Sequence, residues 1–115
     1  MSNNVDYEVR KRVIDSHRIV SKYSDYIPVI IKSNGINIKK TKFLVPDSVN
    51  VGHLLYAVRK HITLDSSKAI FLFCNNSLIC GSSLMRDVYD KHVTKRGGDD
   101  DLFLYVTMSM ENTFG

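Results

Sequence analysis

The sequence predicts an α+β domain in which a β-hairpin and the helix after it build onto a mixed sheet, with an extra helix in front. Three observations carry that prediction. Residues 27–45 hold a β-branched run at 27–32 and a second strand at about 37–45 on either side of the turn signal Ser33, Asn34, Gly35. Residues 51–62 place Leu54, Leu55, Val58 and Ile62 at helical spacings of three and four. Residues 69–74, AIFLFC, form an unbroken apolar run of the kind a fully buried strand shows.

The elements follow in order. From residue 6 to about 23, Val9, Val13 and Val20 share a stripe with Ile14 beside it, while Arg10, Lys11, Arg12, Arg18 and Lys22 fill the other positions of a helix. Pro28 ends it, because proline disfavours helical geometry in the residue before it. Strands at 27–32 and 37–45 make the hairpin, closed by Pro46. Asp47, Ser48 and Asn50 are candidate caps for the helix at 51–62. After the strand at 69–74, residues 75–77 turn the chain and 78–80 add a short strand. Ser82 or Ser83 caps a short helix reaching about Val93, 94–101 is a polar loop, and 102–108 is the final strand. That strand is apolar along most of its length and is expected in the middle of the sheet. The order is that of a ubiquitin-like β-grasp with an additional N-terminal helical segment. It divides the chain into a helical extension (1–24), a β-grasp domain (25–110) and a flexible tail (111–115) ending in glycine. An RNA-recognition βαββαβ unit would need a helix as its second element.

Composition narrows the function. The chain has 115 residues, 43% apolar and 24% charged, enough for one domain with a real core. It has no run of 18 apolar residues to cross a bilayer, and its start lacks a secretory layout, so the unmodified chain is expected in the cytoplasm. The net charge of +4 is uneven: residues 1–42 carry nine Lys and Arg against four Asp and Glu, and residues 43–115 carry seven against eight. A basic first third suits acidic peptides, an anionic membrane or nucleic acid, although such a run is most often only a solvated face. Cys74 and Cys80 lie in apolar stretches and are expected to be buried, reduced thiols. Their spacing misses the zinc patterns, and no Walker or Rossmann glycine loop is present. With four scattered histidines (His17, His53, His61, His92) and no cationic neighbour for Cys74 in sequence, no catalytic constellation forms. No enzyme, metal or resident cofactor is expected.

Several blocks in register then resemble one family. Residues 23–31, YSDYIPVII, are similar to Y-P-D-R-[IV]-P-V-I-V of the ubiquitin-like autophagy modifiers, the autophagy-related protein 8 family that includes GABARAP. Residues 40–46, KTKFLVP, resemble K-K-K-[YF]-L-V-P; Val51 and Gly52 with Val58, Arg59 and Lys60 resemble V-G-x₅-[IV]-R-K; and residues 71–76, FLFCNN, resemble F-x-F-V-N-N. The ending, residues 103–107 and 111–115, also matches, so the resemblance is collinear from about residue 15 to 115.

That resemblance implies a modifier. Activating and conjugating enzymes of the ubiquitin type would join Gly115 to phosphatidylethanolamine on the autophagosomal membrane, and a cysteine protease would process or release it. It also implies capture of acidic-flanked short motifs from cargo receptors, with no nucleic acid involved. The residues alone add the mechanism: along 40–45 side chains alternate, so Lys42 and Leu44 face one way and Phe43 and Val45 the other. A peptide adding to this edge could seat two side chains, i and i+3, in two pockets. By similarity the aromatic pocket is lined by Asp15, Ile19, Pro28, Ile30, Lys42, Leu44 and Phe103. The aliphatic pocket is lined by Phe43, Val45, Pro46, Val49, Leu54, Ala57 and Val58. Lys22, Lys40 and Lys42 form a basic rim. Without the resemblance, Ile19, Ile30, Leu44 and Val58 read as ordinary core.

Departures are specific. Tyr26 and His61 stand where the family commonly has Arg, Leu54 and Ala57 replace bulkier residues, Ile79, Cys80 and Gly81 replace a Pro-Pro turn, and the 95–101 loop is longer. Residues before Asp15 match poorly. A ubiquitin-like docking module that is never conjugated is the alternative, separated from the first reading only by its tail.

Overall fold

The computed structural model describes residues 4–65 and 67–110. Helix α1 (Asn4–Lys22) leads into strand β1 (Tyr26–Asn34), and β2 (Lys42–Pro46) returns antiparallel to it. Helix α2 (Val51–Arg59) follows, then β3 (Phe71–Cys74), β4 (Ser77–Leu78), α3 (Met85–His92) and β5 (Leu104–Ser109). Among the described residues five strands run β2-β1-β5-β3-β4 across one mixed sheet. β5 is central, parallel to β1 and antiparallel to β3, as its continuous apolar character requires. The α+β reading as a β-grasp behind an extra helix therefore stands.

Boundaries shift for identifiable reasons. β2 starts at Lys42 rather than 37. Gly35 takes φ +83°, Ser33 Oγ bonds the Ile36 carbonyl, and Ile38 bridges Ile62 instead of β1. Ile62 thus leaves α2, which ends at Arg59. Asn50 is its cap, accepting the His53 N–H at 3.0 Å. Neither Ser82 nor Ser83 caps α3. Leu84 holds the cap position without a side-chain bond, and backbone bonds tie the start of α3 to the 47–51 segment: Met85 N–H to Val49 O at 2.8 Å and Arg86 N–H to Asp47 O at 3.1 Å. β3 begins at Phe71, two residues late, and β4 is Ser77–Leu78 rather than 78–80. β5 begins at Leu104, two residues later than the expected strand, because the Leu102 and Phe103 N–H groups bond the side chains of Ser16 and Asp101. Asn75 and Asn76, at φ 50° and 64°, make the β3–β4 turn, a geometry asparagine tolerates.

Core formation follows from strand alternation. Ile27, Val29 and Ile31 of β1, Phe43 and Val45 of β2, and Leu104, Val106 and Met108 of β5 pack with α2's Val51, Leu54 and Val58 and α3's Met85 and Val88. The opposite face carries Pro28, Ile30, Lys42, Leu44 and Tyr105, and α1 lies across it. Cys74 is buried with the core, where desolvation lifts its thiol pKa to about 12. Cys80 is exposed, contrary to the expectation of two buried thiols: the Ile79 N–H still bonds Leu72 O at 2.9 Å, but Cys80 lies beyond that last tie to β3.

Candidate peptide-binding groove

The site begins with β2. It is an edge strand, and its burial alternates: Lys42 exposed, Phe43 buried, Leu44 exposed, Val45 buried. Register pairs Val29 with Phe43 and Ile27 with Val45, and the Ile31 N–H bonds Thr41 O at 2.7 Å. In an antiparallel ladder these are the hydrogen-bonded pairs, so the N–H and C=O groups of Lys42 and Leu44 point away from β1. Pro46, having no N–H, ends the row of donors.

On the α1 face, Pro28 stands opposite Leu44 and Ile30 opposite Lys42. Pro28 and Phe103 are buried, Ile19 and Ile30 half-buried, and Leu44 is 41% exposed. Asp15 receives a bond from Arg18 at 2.7 Å and, with Lys42, Glu8, Lys11 and Arg12, lines an opening of about 220 Å³ between α1 and the β2 edge. The structure brings Asp15 and Lys42 to one opening, and it aligns Pro28, Ile30, Lys42 and Leu44 on one face. Phe103 and Ile19 flank that face from β5's approach and from α1.

Phe43, Val45, Leu54 and Val58 instead form part of the wall between β2 and α2. They are buried in the core cluster, with Val49 and Ala57 packed half-buried against it. His61 meets the Phe43 ring edge-on at 5.6 Å, and the Lys40 ammonium lies 4.9 Å from that ring's centre. The three rim lysines are not grouped. Lys40 and Lys42 stand at the start of β2. Lys22 rests 5.4 Å from the Tyr23 ring, which contacts Tyr26, the residue opposite Pro46 at the far end.

What holds α1 over the sheet was not among the sequence-derived residues. Ser16 is fully buried; its Oγ accepts the Leu102 N–H at 3.0 Å and donates to Val13 O at 2.7 Å. His17 Nε2 lies 2.8 Å from the Asp100 carbonyl, which calls for a proton on that nitrogen. Tyr105 donates to Asp101, and the Arg12 guanidinium lies near the same phenol. Burial first, and the Asp101 bond second, raise the Tyr105 phenol to about 12. A small polar residue inside an amphipathic helix was the only local hint of Ser16. Gly115 and the rest of the tail lie outside the described residues.

Comparison with known proteins decides the family. The profile described as "Autophagy protein Atg8 ubiquitin like" matches residues 11–115. The chain belongs to that family. This Atg8 family member is 43% identical to Autophagy-related protein 8c of Arabidopsis thaliana, over 99% of this chain and 95% of that one. It is 45% identical to Autophagy-related protein 8 of Vanderwaltozyma polyspora, over 96% and 92%. Among solved structures it resembles Trypanosoma brucei ATG8 (TM-score 0.75, 25% identity, 95% of each chain). It also resembles Plasmodium falciparum Atg8 in complex with a Plasmodium falciparum Atg3 peptide (TM-score 0.73, 31% identity, 96% and 98%). It is a ubiquitin-like protein of the autophagy machinery.

Proposed function

We propose that this Atg8 family member is a non-enzymatic modifier, joined through Gly115 to phosphatidylethanolamine, that captures extended aromatic-x-x-aliphatic peptides along β2. The observation that carries the reading is the edge of β2, where among the described residues the donors and acceptors of Lys42 and Leu44 meet no further strand, with partly exposed apolar side chains on the face beside them. Added as a sixth strand, a peptide satisfies those groups and gains affinity, while pockets select its side chains.

The peptide's aromatic ring enters over Pro28, Ile30 and Leu44 beneath α1, near Asp15 and Lys42. Burying 150–250 Å² of aromatic surface contributes roughly 4–6 kcal/mol before ordering costs, whereas each rim charge adds about 1 kcal/mol or less. The ring therefore decides binding, and Lys40 and Lys42 favour an acidic flank. The aliphatic residue enters at the Phe43–Val49–Ala57 wall, where the closed packing requires the Phe43 ring to swing aside. Affinity is expected near micromolar, about −8 kcal/mol. By extension from the Plasmodium relative, a segment of the conjugating enzyme is one of the peptides taken.

Conjugation supplies two acyl chains, each CH₂ worth about 0.8 kcal/mol when buried, which is enough to hold a soluble domain on a bilayer where one chain is marginal. The unmodified protein is then cytoplasmic and the lipidated form sits on the autophagosomal membrane. Reconstitution with activating and conjugating enzymes, ATP and phosphatidylethanolamine vesicles, read by mass, tests this half. The wild type should gain the lipid and Gly115→Ala should not. A wild type that never forms the adduct leaves only a docking module.

A further inference from the structure

The Pro46 end of the groove carries apolar surface that two pockets leave unused. Tyr23 and Tyr26 are each 40% exposed, with ring centres 6.2 Å apart in an edge-to-face pair. Tyr26 stands opposite Pro46, and Leu44 is its diagonal neighbour on the same face, within reach of an aromatic ring. The three side chains thus continue the groove past the last free donor of β2.

Charge separates the two ends. At the start of β2, Lys39, Lys40, Lys42, Lys11 and Arg12 outnumber Glu8 and Asp15. The Pro46 end is balanced, with Lys22 and Arg86 against Asp25 and Asp47. Arg86 is engaged with Asp47 at 2.9 Å, and Lys22 rests on the Tyr23 ring. Pro46 offers no backbone donor. Beside the Lys22 and Asp25 side chains, the aromatic surface is what a passing peptide can cover there. An Arg at position 26, as the family commonly carries, would draw acidic residues to both ends of the groove.

We propose that Tyr26, with Tyr23 and Leu44, forms a third subsite that takes an apolar or aromatic residue from the peptide flank lying over the Pro46 end. The acidic flank stays at the Lys40 and Lys42 end. This rests on the peptide-capture reading above and names the class of peptide it prefers. The selected ligand is therefore polarised: acidic before one end of the motif, apolar beyond the other.

Calorimetric titration tests it with W-x-x-L peptides whose residues beyond the motif are Ala, Phe or Glu, placed in turn on the amino and the carboxyl side. On one side only, the Phe peptide should bind the wild type roughly three- to tenfold tighter than the Glu peptide, the gain expected from covering part of a tyrosine ring. Tyr26→Ala should reduce that ratio to about one, and Tyr26→Arg should reverse it. Thermal melts of both variants verify that the exposed site was changed without unfolding. Equal binding of Phe and Glu peptides on both sides, or a preference that survives Tyr26→Ala, overturns the third subsite while leaving peptide capture intact. Failure of every peptide to bind the wild type overturns both.

Discussion

The two faces of the sheet are built to different standards. The face toward α2 and α3 is closed: Val29, Leu54, Val58, Met85, Leu104, Val106 and Met108 are all essentially inaccessible. The face under α1 is half-finished, with Leu44 exposed, Ile19 and Ile30 partly covered, and the helix held by a few polar ties. The difference separates the face that carries most of the buried core from the one that leaves apolar surface open. A closed face gains its free energy from burial and tolerates little; a half-open face keeps apolar surface available for a partner at small cost to the fold.

The sharpest way to break the comparison is to damage each face in turn. Leu54→Ala, on the closed face, should lower unfolding free energy by about 2–5 kcal/mol in urea melts, because the cavity cannot refill. A loss below about 1 kcal/mol would mean that this face is not close-packed. Ser16→Ala, on the open face, should cost about 1–3 kcal/mol by leaving the buried Leu102 N–H without its partner. It should also speed hydrogen exchange in α1 more than in β5, and uniform acceleration would show that the tie serves the whole fold. Leu44→Ala should change stability by about 0.5 kcal/mol or less, yet weaken an acidic-flanked W-x-x-L peptide about tenfold. Unchanged binding by that variant removes the groove from the account.

Alkaline pH gives the smallest effect. Tyr105, under α1, is held protonated to about 12 by burial and by Asp101. Between the ordinary tyrosine range near 10 and that value, the unfolded chain releases the proton while the folded chain keeps it. Its contribution is therefore complete below about pH 10 and is lost as pH rises toward 12. Burial raises Tyr89 and Cys74 in the same direction, so Tyr105→Phe should shallow the decline, not abolish it. A decline of the same slope in that variant would leave Tyr105 without a part in it.

Much of this architecture was legible because it is written in local pattern. The apolar run at 69–74 and the spacing of Leu54 and Val58 located the buried elements, and alternation along 42–45 told which side chains face outward. What failed depended on contacts distant in sequence. Ile38 looks like strand but pairs with Ile62; α3 starts on backbone bonds to the 47–51 segment instead of a serine cap; and Ser16 meets Leu102 only after the sheet forms. The proposed aromatic groove came as a list of positions by resemblance, and alternation told which of its side chains share a face. Periodicity alone could not tell that Phe43, Leu54 and Val58 would be sealed into the core while Leu44 stayed open, since all four are apolar residues in regular elements.

Hydrogen exchange at two amides, Lys42 and Leu44, tests the central claim most directly. Their N–H groups face away from β1 and should exchange quickly in the free protein, unlike those of Phe43 and Val45. A saturating acidic-flanked W-x-x-L peptide should slow both markedly and leave the amides of β4, at the opposite edge, unchanged. Binding that protects β4, or that leaves Lys42 and Leu44 as fast as before, would contradict strand addition at this edge.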